Sequence, residues 1–322
     1  MIGSSLSFSV IIPAYNRADV LGRAIRSVLE QDYPVDEIIV VDDGSQEDLR
    51  PVVAPFGEQV RLIRQDNAGA AAARNTGISH ASSTWLTFLD SDDFWLPGRM
   101  SRLASDLEGA DPDIVAHIGD VCYAGPGYRQ GLFAIKGQPW PSGPAQPCPD
   151  PLELVISGMS LCGAAIRREA FHAAGGFDPA LRMLEDTDLF CQLAIRGKFL
   201  VTGDMMVQAE RVADDTVALT RLEQTEPLAT SEMHVHYLEK LIGAGLTPAQ
   251  RQLVRRKLSG ALLIQANAEF LERPKTTYKT LWRAARIHPN PLKGWAKTIA
   301  AAVMGPAAIR RMRQSHLELD RG

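Results

Sequence analysis

The sequence predicts an α/β protein with a mostly parallel sheet, followed by an all-helical C-terminal region. Short β-branched or aromatic runs alternate with helical segments in the first ninety residues, and the last third has helical patterning without strands. Strands that alternate with helices build parallel βαβ units and doubly wound sheets. We therefore expect an α/β domain over residues 1–215 and a helical region over 216–322.

Four strands and two helices are expected in the first ninety residues. The predicted strands are bounded by turn-forming residues and cover 8–12, 37–41, 60–64 and 84–89. Between the first two strands, residues 17–31 carry apolar side chains at helical spacing, and Pro34 ends the helix. An alanine-rich helix is expected over 70–80.

Proline dominates the middle of the chain, because residues 124–151 hold seven of the 20 prolines. This density excludes a long helix or a central strand, so we expect an irregular excursion with room for a hairpin. A helix is expected over about 185–196. Thr247, Pro248 and Gln250 have the pattern of an N-capped helix start.

Charge is distributed unevenly along a chain of ordinary globular composition, with 45% apolar and 22% charged residues and a net charge of −4. Residues 1–215 carry 17 basic and 30 acidic side chains, whereas residues 216–322 carry 17 basic and 8 acidic ones. No apolar run is long enough to span a membrane, and no secretory leader pattern is present. We expect a cytoplasmic protein.

Polar side chains cluster where predicted strands end. They are Tyr15 and Asn16 after the first strand, Asp42 and Asp43 after the second, and Asp90, Asp92 and Asp93 after the fourth. Ligands of open parallel sheets bind beyond the carboxyl ends of the strands. Carboxylates crowded there repel one another unless a cation compensates. Oxygen ligands without nearby His or Cys suit Mg²⁺ or Mn²⁺.

The order of the motifs adds a family resemblance. SVIIPAYNR, EIIVVDDGS, RQDNAGAAAARNTG, WLTFLDSDD and GGFDPALRMLEDTDLFCQLAIRG occur in succession over roughly residues 8–200. This succession resembles the family 2 inverting glycosyltransferases, which have the GT-A fold with a Rossmann-like nucleotide-binding half. The resemblance implies transfer of a sugar from a nucleotide-diphosphate sugar, most commonly a UDP-sugar, to an acceptor hydroxyl.

The resemblance also assigns residues to roles. It implies that the donor nucleotide-sugar is bound by Pro13, Tyr15, Asn16, Asp42, Asp43, Asn67, Arg74, Asn75 and Asp90. Asp92 matches the metal ligand, and Glu185 and Asp186 match the catalytic pair, with Asp186 as the general base. A carboxylate in this role accepts the proton of the attacking hydroxyl. The implied acceptor is a bacterial surface glycan or a lipid-linked glycan.

One position departs from the family pattern. A histidine often follows the last core strand in a Tyr-Arg-x-His stretch, and the matching stretch Glu210–Ala213 ends in alanine. Three interpretations stay open: Asp214 or Asp215 substitutes, water and the diphosphate complete the metal shell, or metal binding is weak.

Other interpretations of these motifs also stay open. Glu185 and Asp186 lie in the first turn of a predicted helix, where capping and the helix dipole favour acidic residues. Two carboxylates at this place therefore need no catalytic role. A non-catalytic nucleotide-sugar-binding protein would keep the same donor site. A sugar-phosphate nucleotidyltransferase shares the sheet architecture but would need a glycine-rich basic loop after the first strand, and PAYNRADV is not one.

The C-terminal region is basic, with 15 basic and 4 acidic residues from position 251 onward, together with Trp282 and Trp295. Basic helices with interfacial tryptophans suit an anionic membrane surface, which would place the protein peripherally at the inner face of the plasma membrane. A helical appendage with a solvated basic face is the open alternative. Nucleic-acid binding is not expected, because no recognition motif is present.

Overall fold

A computed structural model of the chain describes residues 6–125, 127–210 and 225–288. The chain divides into two compact units, Met1–Asp215 and Thr216–Gly322. Ala213, Asp214, Asp215 and Trp295, which the sequence singled out, lie outside the described residues.

The first unit contains the sheet. Its strands are β1 (Phe8–Ala14), β2 (Glu37–Asp43), β3 (Val60–Gln65), β4 (Trp85–Phe88), β5 (Phe94–Trp95), β6 (Ile114–Gly125), β7 (Tyr128–Gly131), β8 (Gln146–Pro147), β9 (Ala164–Arg167) and β10 (Lys198–Glu210). Their order is β3-β2-β1-β4-β9-β6-β10-β5, with β7 paired to β6 and β8 to β10.

Most neighbouring pairs of long strands are parallel, which confirms the predicted fold class. β1 pairs in parallel with β2 and β4, β2 with β3, and β6 with β10. Strand β9 is antiparallel to both β4 and β6 and joins them. Residues Val10, Ile11 and Ile12 of β1 are fully buried, as expected for a strand covered on both faces.

Helices cover this sheet. They are α1 (Ala18–Leu29), α2 (Arg50–Val53), α3 (Ala70–Ser79), α4 (Arg99–Leu107), α5 (Leu132–Ile135), α6 (Pro151–Ser157), α7 (Arg168–Ala174) and α8 (Glu185–Ala194), with 3₁₀ turns at Ala54–Gln59 and Leu161–Gly163. The small residues of α3 allow close packing, because a Cβ at Gly77 would lie 2.7 Å from Cγ2 of Ile11.

The proline-rich segment contains the expected hairpin, since β7 pairs antiparallel with the end of β6. Beyond it, backbone N–H groups are bound by carboxylates of neighbouring elements. Gly143 donates to Asp204 at 3.0 Å, and Ala145 donates to Asp106 at 3.2 Å. Side chains therefore fix a segment whose prolines cannot form a regular ladder.

The second unit is helical in its described part, with α9 (Pro227–Ile242), α10 (Pro248–Glu272) and α11 (Pro274–Ile287). Helix α10 begins with the predicted capping box, in which Thr247 and Gln250 bond reciprocally. Its buried contacts with α11 include a hydrogen bond from Oγ of Ser259 to the carbonyl oxygen of Ala284 at 3.2 Å. Among the helices with described residues, none is long and apolar enough to cross a bilayer.

Candidate active site

The loops after β1 and β2 are joined at the carboxyl edge of the sheet. Ser45 Oγ accepts a hydrogen bond from the backbone N–H of Asn16 at 3.0 Å, and Asn16 Oδ1 accepts one from the N–H of Gln46 at 2.8 Å. Asn16 has a left-handed backbone with φ of 52°. Tyr15 beside it is 37% exposed, so its ring is available to a ligand at this edge. Pro13, paired in register with Val41, precedes this loop.

Both aspartates of the DDGS motif are the final residues of β2 and are buried. Asp42 accepts from the N–H of Ser45 at 2.8 Å and forms an ion pair with Arg64. Arg64 is a residue that the motif analysis missed, although it lies opposite Asp42 in the β2–β3 register. Asp42 therefore holds the turn after β2 in place.

Asp43 organises the loop after β3. Its oxygens accept hydrogen bonds from Gln65 Nε2 at 2.7 Å and from the backbone N–H groups of Ala68 at 2.9 Å and Gly69 at 2.8 Å. Asn67 lies in this loop and packs on Gly44, where an added Cβ would lie 2.7 Å from the Asn67 nitrogen. The predicted donor-side residue Asn67 is thereby brought next to the DDGS turn.

The DSDD loop after β4 is tied to the loop and helix that follow β1. Arg23 Nη2 donates to the carbonyl oxygen of Asp92 at 3.0 Å, and Arg17 Nη2 lies 3.6 Å from Oδ2 of Asp92. The Asp92 side chain is 43% exposed, so it faces the open side of the sheet edge.

Asp90 and Asp93, which lie in the same loop as Asp92, form a group of three possible metal ligands with Cys162. One ligand atom from each of Asp90, Asp93 and Cys162 lies within 4.8 Å of the others. Burial, followed by the charges of Asp90 and Asp93, raises the pKa of Cys162 well above its ordinary value, so the thiol is neutral. The two carboxylates fit a hard divalent cation. Cys162 was missed because nothing in its local sequence indicates that it approaches a loop seventy residues away.

Arg74 of α3 joins the two halves of the site. Its side chain is 8% exposed, and it donates to Asp90 Oδ1 at 2.8 Å and to Glu185 Oε1 at 2.6 Å. Burial opposes the charged form of Arg74, but the two carboxylates outweigh it and raise the pKa of the guanidinium. The predicted donor-side and acceptor-side residues are thus in direct contact.

Asn75, the next residue, contacts the segment that precedes α8. Its Nδ2 donates to the carbonyl oxygen of Phe177 at 2.8 Å, and its Oδ1 accepts from the N–H of Phe177 at 3.1 Å. Both ends of the amide are therefore engaged with the backbone of the GGFD motif.

The Glu185–Asp186 pair begins α8, directly after Leu184, whose φ is 66°. Asp186 Oδ1 accepts a hydrogen bond from the N–H of Thr187 at 2.6 Å. Burial and then the charge of Glu185 raise the pKa of Asp186 to about 6, against the opposing effects of Arg74 and Thr187. Such a carboxylate is ionised near neutral pH and is basic enough to accept a proton.

Comparison with known proteins identifies the family. The sequence profile of "Glycosyl transferase family 2" matches residues 9–175. An uncharacterised glycosyltransferase of Nostoc sp. is 38% identical over 120 residues, which cover 36% of this chain and 37% of that protein. One from Rickettsia prowazekii is 27% identical over 225 residues, 68% of this chain and 69% of its own length.

A relative with a specific name is the UDP-Glc:alpha-D-GlcNAc-diphosphoundecaprenol beta-1,3-glucosyltransferase WfgD of Escherichia coli. It is 39% identical over 99 residues, which cover 30% of this chain and 39% of WfgD. The matches to Nostoc and WfgD thus span well under two thirds of either relative.

Solved structures support the fold. Staphylococcus aureus TarS 1–349 in complex with UDP-GlcNAc has a TM-score of 0.66 at 18% identity, covering 87% of this chain and 79% of that one. Mannosyltransferase PcManGT from Pyrobaculum calidifontis, in complex with GDP-Man and Mn²⁺, has a TM-score of 0.56 at 21% identity, covering 92% and 79%.

The fold and the family match together identify a glycosyltransferase with a GT-A fold. The chain belongs to glycosyl transferase family 2, as the resemblance of its motifs predicted.

Proposed function

We propose that this protein transfers a sugar from a nucleotide-diphosphate sugar to an acceptor hydroxyl, with inversion at the anomeric carbon. The observation that carries this proposal is the Arg74 bridge between Asp90 and Glu185. It links the acidic loop at the donor end of the sheet to the first turn of α8, where the candidate base Asp186 lies.

The donor site of the proposal lies at the ends of β1 to β4. Pro13, Tyr15, Asn16, Asp42, Asp43, Asn67, Arg74, Asn75 and Asp90 are its proposed residues. The hydrogen-bonded loops around Ser45 and Asp43 support a preformed edge for a nucleoside. A UDP-sugar is the proposed donor, because WfgD is named for UDP-Glc and the TarS complex contains UDP-GlcNAc.

Asp186 is the proposed general base, and Glu185 its partner in the catalytic pair. As the acceptor oxygen forms its bond to the anomeric carbon, Asp186 takes the hydroxyl proton and the bond to the diphosphate breaks. A pKa of about 6 suits this role, because the carboxylate is mostly ionised at pH 7. One displacement without a covalent intermediate inverts the configuration.

A divalent cation, Mg²⁺ or Mn²⁺, is the proposed cofactor. Asp92 is its proposed ligand by the resemblance, and the grouping of Asp90 and Asp93 supports a contribution from the same loop. When bound, such an ion neutralises charge on the departing diphosphate. The Mn²⁺ in the PcManGT complex is consistent with this choice.

The proposed acceptor is a glycan or a lipid-linked glycan in surface polysaccharide synthesis. WfgD is named for a diphosphoundecaprenol-linked acceptor, and that name supports the class rather than the particular linkage. Peripheral residence at the inner face of the plasma membrane would suit such an acceptor.

A donor panel tests the proposal. Purified protein is incubated with UDP-glucose, UDP-N-acetylglucosamine, UDP-galactose and GDP-mannose, and nucleoside diphosphate release is measured with Asp186→Asn as the test variant. Glu169→Gln, a change at an exposed acid of α7, is the matched control. Release that Asp186→Asn abolishes and Glu169→Gln keeps is expected. Pyrophosphate release in a parallel assay with UTP and a sugar 1-phosphate would identify a nucleotidyltransferase, and nucleotide binding without turnover would identify a non-catalytic binder.

A further inference from the structure

The outer face of α11 exposes two large aromatic side chains. Tyr278 is 67% exposed and Trp282 is 68% exposed. Residues four apart lie on the same face of a helix, so the two rings lie on one face of α11. Both side chains expose apolar surface to water in the free protein. Large apolar side chains that are exposed in one place mark an interaction site.

The opposite face of α11 is already buried against α10, which fixes the direction of the aromatic face. Thr277, Thr280, Leu281 and Ala284 are buried and recur at helical spacing. Oγ1 of Thr280 donates to Oε1 of Glu269 on α10 at 3.0 Å. The helix therefore cannot rotate to hide Tyr278 and Trp282 without breaking this packing.

Positive charge surrounds the two rings. Lys279 and Arg286 are exposed, and at 100° per residue they lie on the same outward half of α11 as Trp282. Residues 225–288 contain ten Lys or Arg residues and five Glu residues. Arg273 and Arg283 form ion pairs with Glu232 and Glu239 of α9, and Glu269 is buried. Helix α11 itself, Pro274–Ile287, contains no acidic residue. The described part of the second unit thus has a net positive charge, and Lys279 and Arg286 place part of it on the face that carries the aromatic rings.

We propose that the outer face of α11, formed by Tyr278, Lys279, Trp282 and Arg286, binds an anionic lipid bilayer surface. Tyr and Trp rings are amphipathic and lie at the headgroup level of membranes, while Lys and Arg attract anionic headgroups. A helix that lies in the interface needs one apolar face and flanking basic residues rather than the length to span the bilayer. The α11 face has this combination.

This inference is separate from the proposed sugar transfer, because none of its residues belongs to the candidate active site. The two can fail independently. Sugar transfer to a soluble acceptor does not require the α11 face, and lipid binding does not require Asp186.

Vesicle flotation tests the inference with the full chain. One vesicle set contains equal parts phosphatidylglycerol and phosphatidylcholine, and the other contains phosphatidylcholine alone. We expect recovery with the first set only, and loss of recovery at high salt because the ionic attraction is screened. Tyr278→Ala with Trp282→Ala should weaken binding roughly tenfold or more, and Lys279→Glu with Arg286→Glu by a similar factor.

Control variants change a tyrosine and an arginine at exposed positions of the first unit. Tyr128→Ala and Arg61→Glu should bind vesicles as the unaltered protein does. Circular dichroism and thermal melting establish that each variant is folded. Acrylamide quenching, taken as the difference between the unaltered protein and Trp282→Phe, measures whether Trp282 is accessible before lipid is added.

Four outcomes would overturn the inference. One is absence of recovery on anionic vesicles, and another is equal recovery of the Tyr278→Ala/Trp282→Ala protein. The third is a Trp282 that acrylamide does not quench, which assigns the face to another part of the chain. The fourth is a concentration-dependent self-association that the double variant abolishes, which assigns the face to a second copy.

Discussion

Arg74 donates a hydrogen bond to Oε1 of Glu185 at 2.6 Å, and this contact joins residues 111 positions apart in the chain. The second arm of the same guanidinium reaches Asp90 at 2.8 Å. Only an arginine offers two parallel donor directions from one buried cation. The pairing therefore makes the stability of the fold depend on the residues that we assign to the active site.

Replacing Arg74 should destabilise the protein and stop transfer. Arg74→Met leaves the buried carboxylate of Glu185 and the partly exposed carboxylate of Asp90 without their cation. Breaking the buried Arg74–Glu185 pair costs about 3–5 kcal/mol in the free energy of unfolding. Arg74→Lys retains the charge but cannot reach both carboxylates with a planar fork. Urea unfolding measures the loss. Arg50→Met, which breaks an exposed pair with Asp48, should leave the midpoint unchanged. A midpoint for Arg74→Met equal to that of Arg50→Met would contradict this view of the bridge.

The pH dependence of transfer should report Asp186. Because the pKa of this carboxyl is about 6, the base is ionised above pH 6 and protonated below it. We expect kcat/KM to fall about tenfold per pH unit below this value. The measurement is kcat/KM for donor from pH 5 to pH 8 in buffers of constant ionic strength. A profile that is flat down to pH 5 would exclude Asp186 as the base.

The same carboxyl should make stability depend on pH. Its folded pKa of about 6 lies above its ordinary value of 3.8, so the folded state binds the proton more tightly and the ionised form is destabilising above pH 6. Asp186→Asn should therefore raise the free energy of unfolding at pH 8. The difference from the unaltered protein should shrink as the pH falls through 6 and vanish below about 3.8, by the same linkage. Unfolding at pH 8 and at pH 4 provides the comparison, and an equal difference at both would refute the prediction.

Metal removal should abolish transfer, and the aspartates of the DSDD loop should determine the Mn²⁺ concentration that restores the reaction. We expect chelation to stop the reaction and Mn²⁺ to restore it. Asp92→Ala should raise the Mn²⁺ concentration for half-maximal rate roughly tenfold or more, as changes around metal sites do. Asp32→Ala, at an exposed position, is the control. If Asp93→Ala has this effect and Asp92→Ala does not, the ligand lies in the Asp90–Asp93–Cys162 group instead.

Gly44 should tolerate no side chain. Its φ is +77°, and an added Cβ would lie 2.7 Å from the backbone nitrogen of Asn67. Gly44→Ala should lose about 2 kcal/mol or more of unfolding free energy and weaken binding of UDP. Gly57→Ala is a close control, because Gly57 has φ of +60° with nothing within 4 Å of the added Cβ. The difference between the two variants isolates the clash with Asn67, and equal losses would mean that backbone strain alone is responsible.

The early strands and their terminal aspartates were predictable because both depend on local pattern. Buried parallel strands have continuous apolar runs, and the residues that follow them must lie at one sheet edge. The bridge from Arg74 to Glu185 and the approach of Cys162 to Asp90 were not predictable from spacing, since the chain between them sets no distance. The pairing of strand β9 was not predictable either, because four residues of moderate apolar character do not reveal which strands they join or in which direction.

Strand β9 also affects how the protein is made. It completes the edge of β4, yet 75 residues, 89–163, are synthesised between the two strands. At roughly 5–20 residues per second, the ribosome needs on the order of 4–15 seconds to supply the missing partner. During that interval β4 has an unsatisfied edge, which can pair with another nascent chain. The yield of folded protein should therefore depend on the translation rate between Phe88 and Ala164 and on the chaperones that cover this edge.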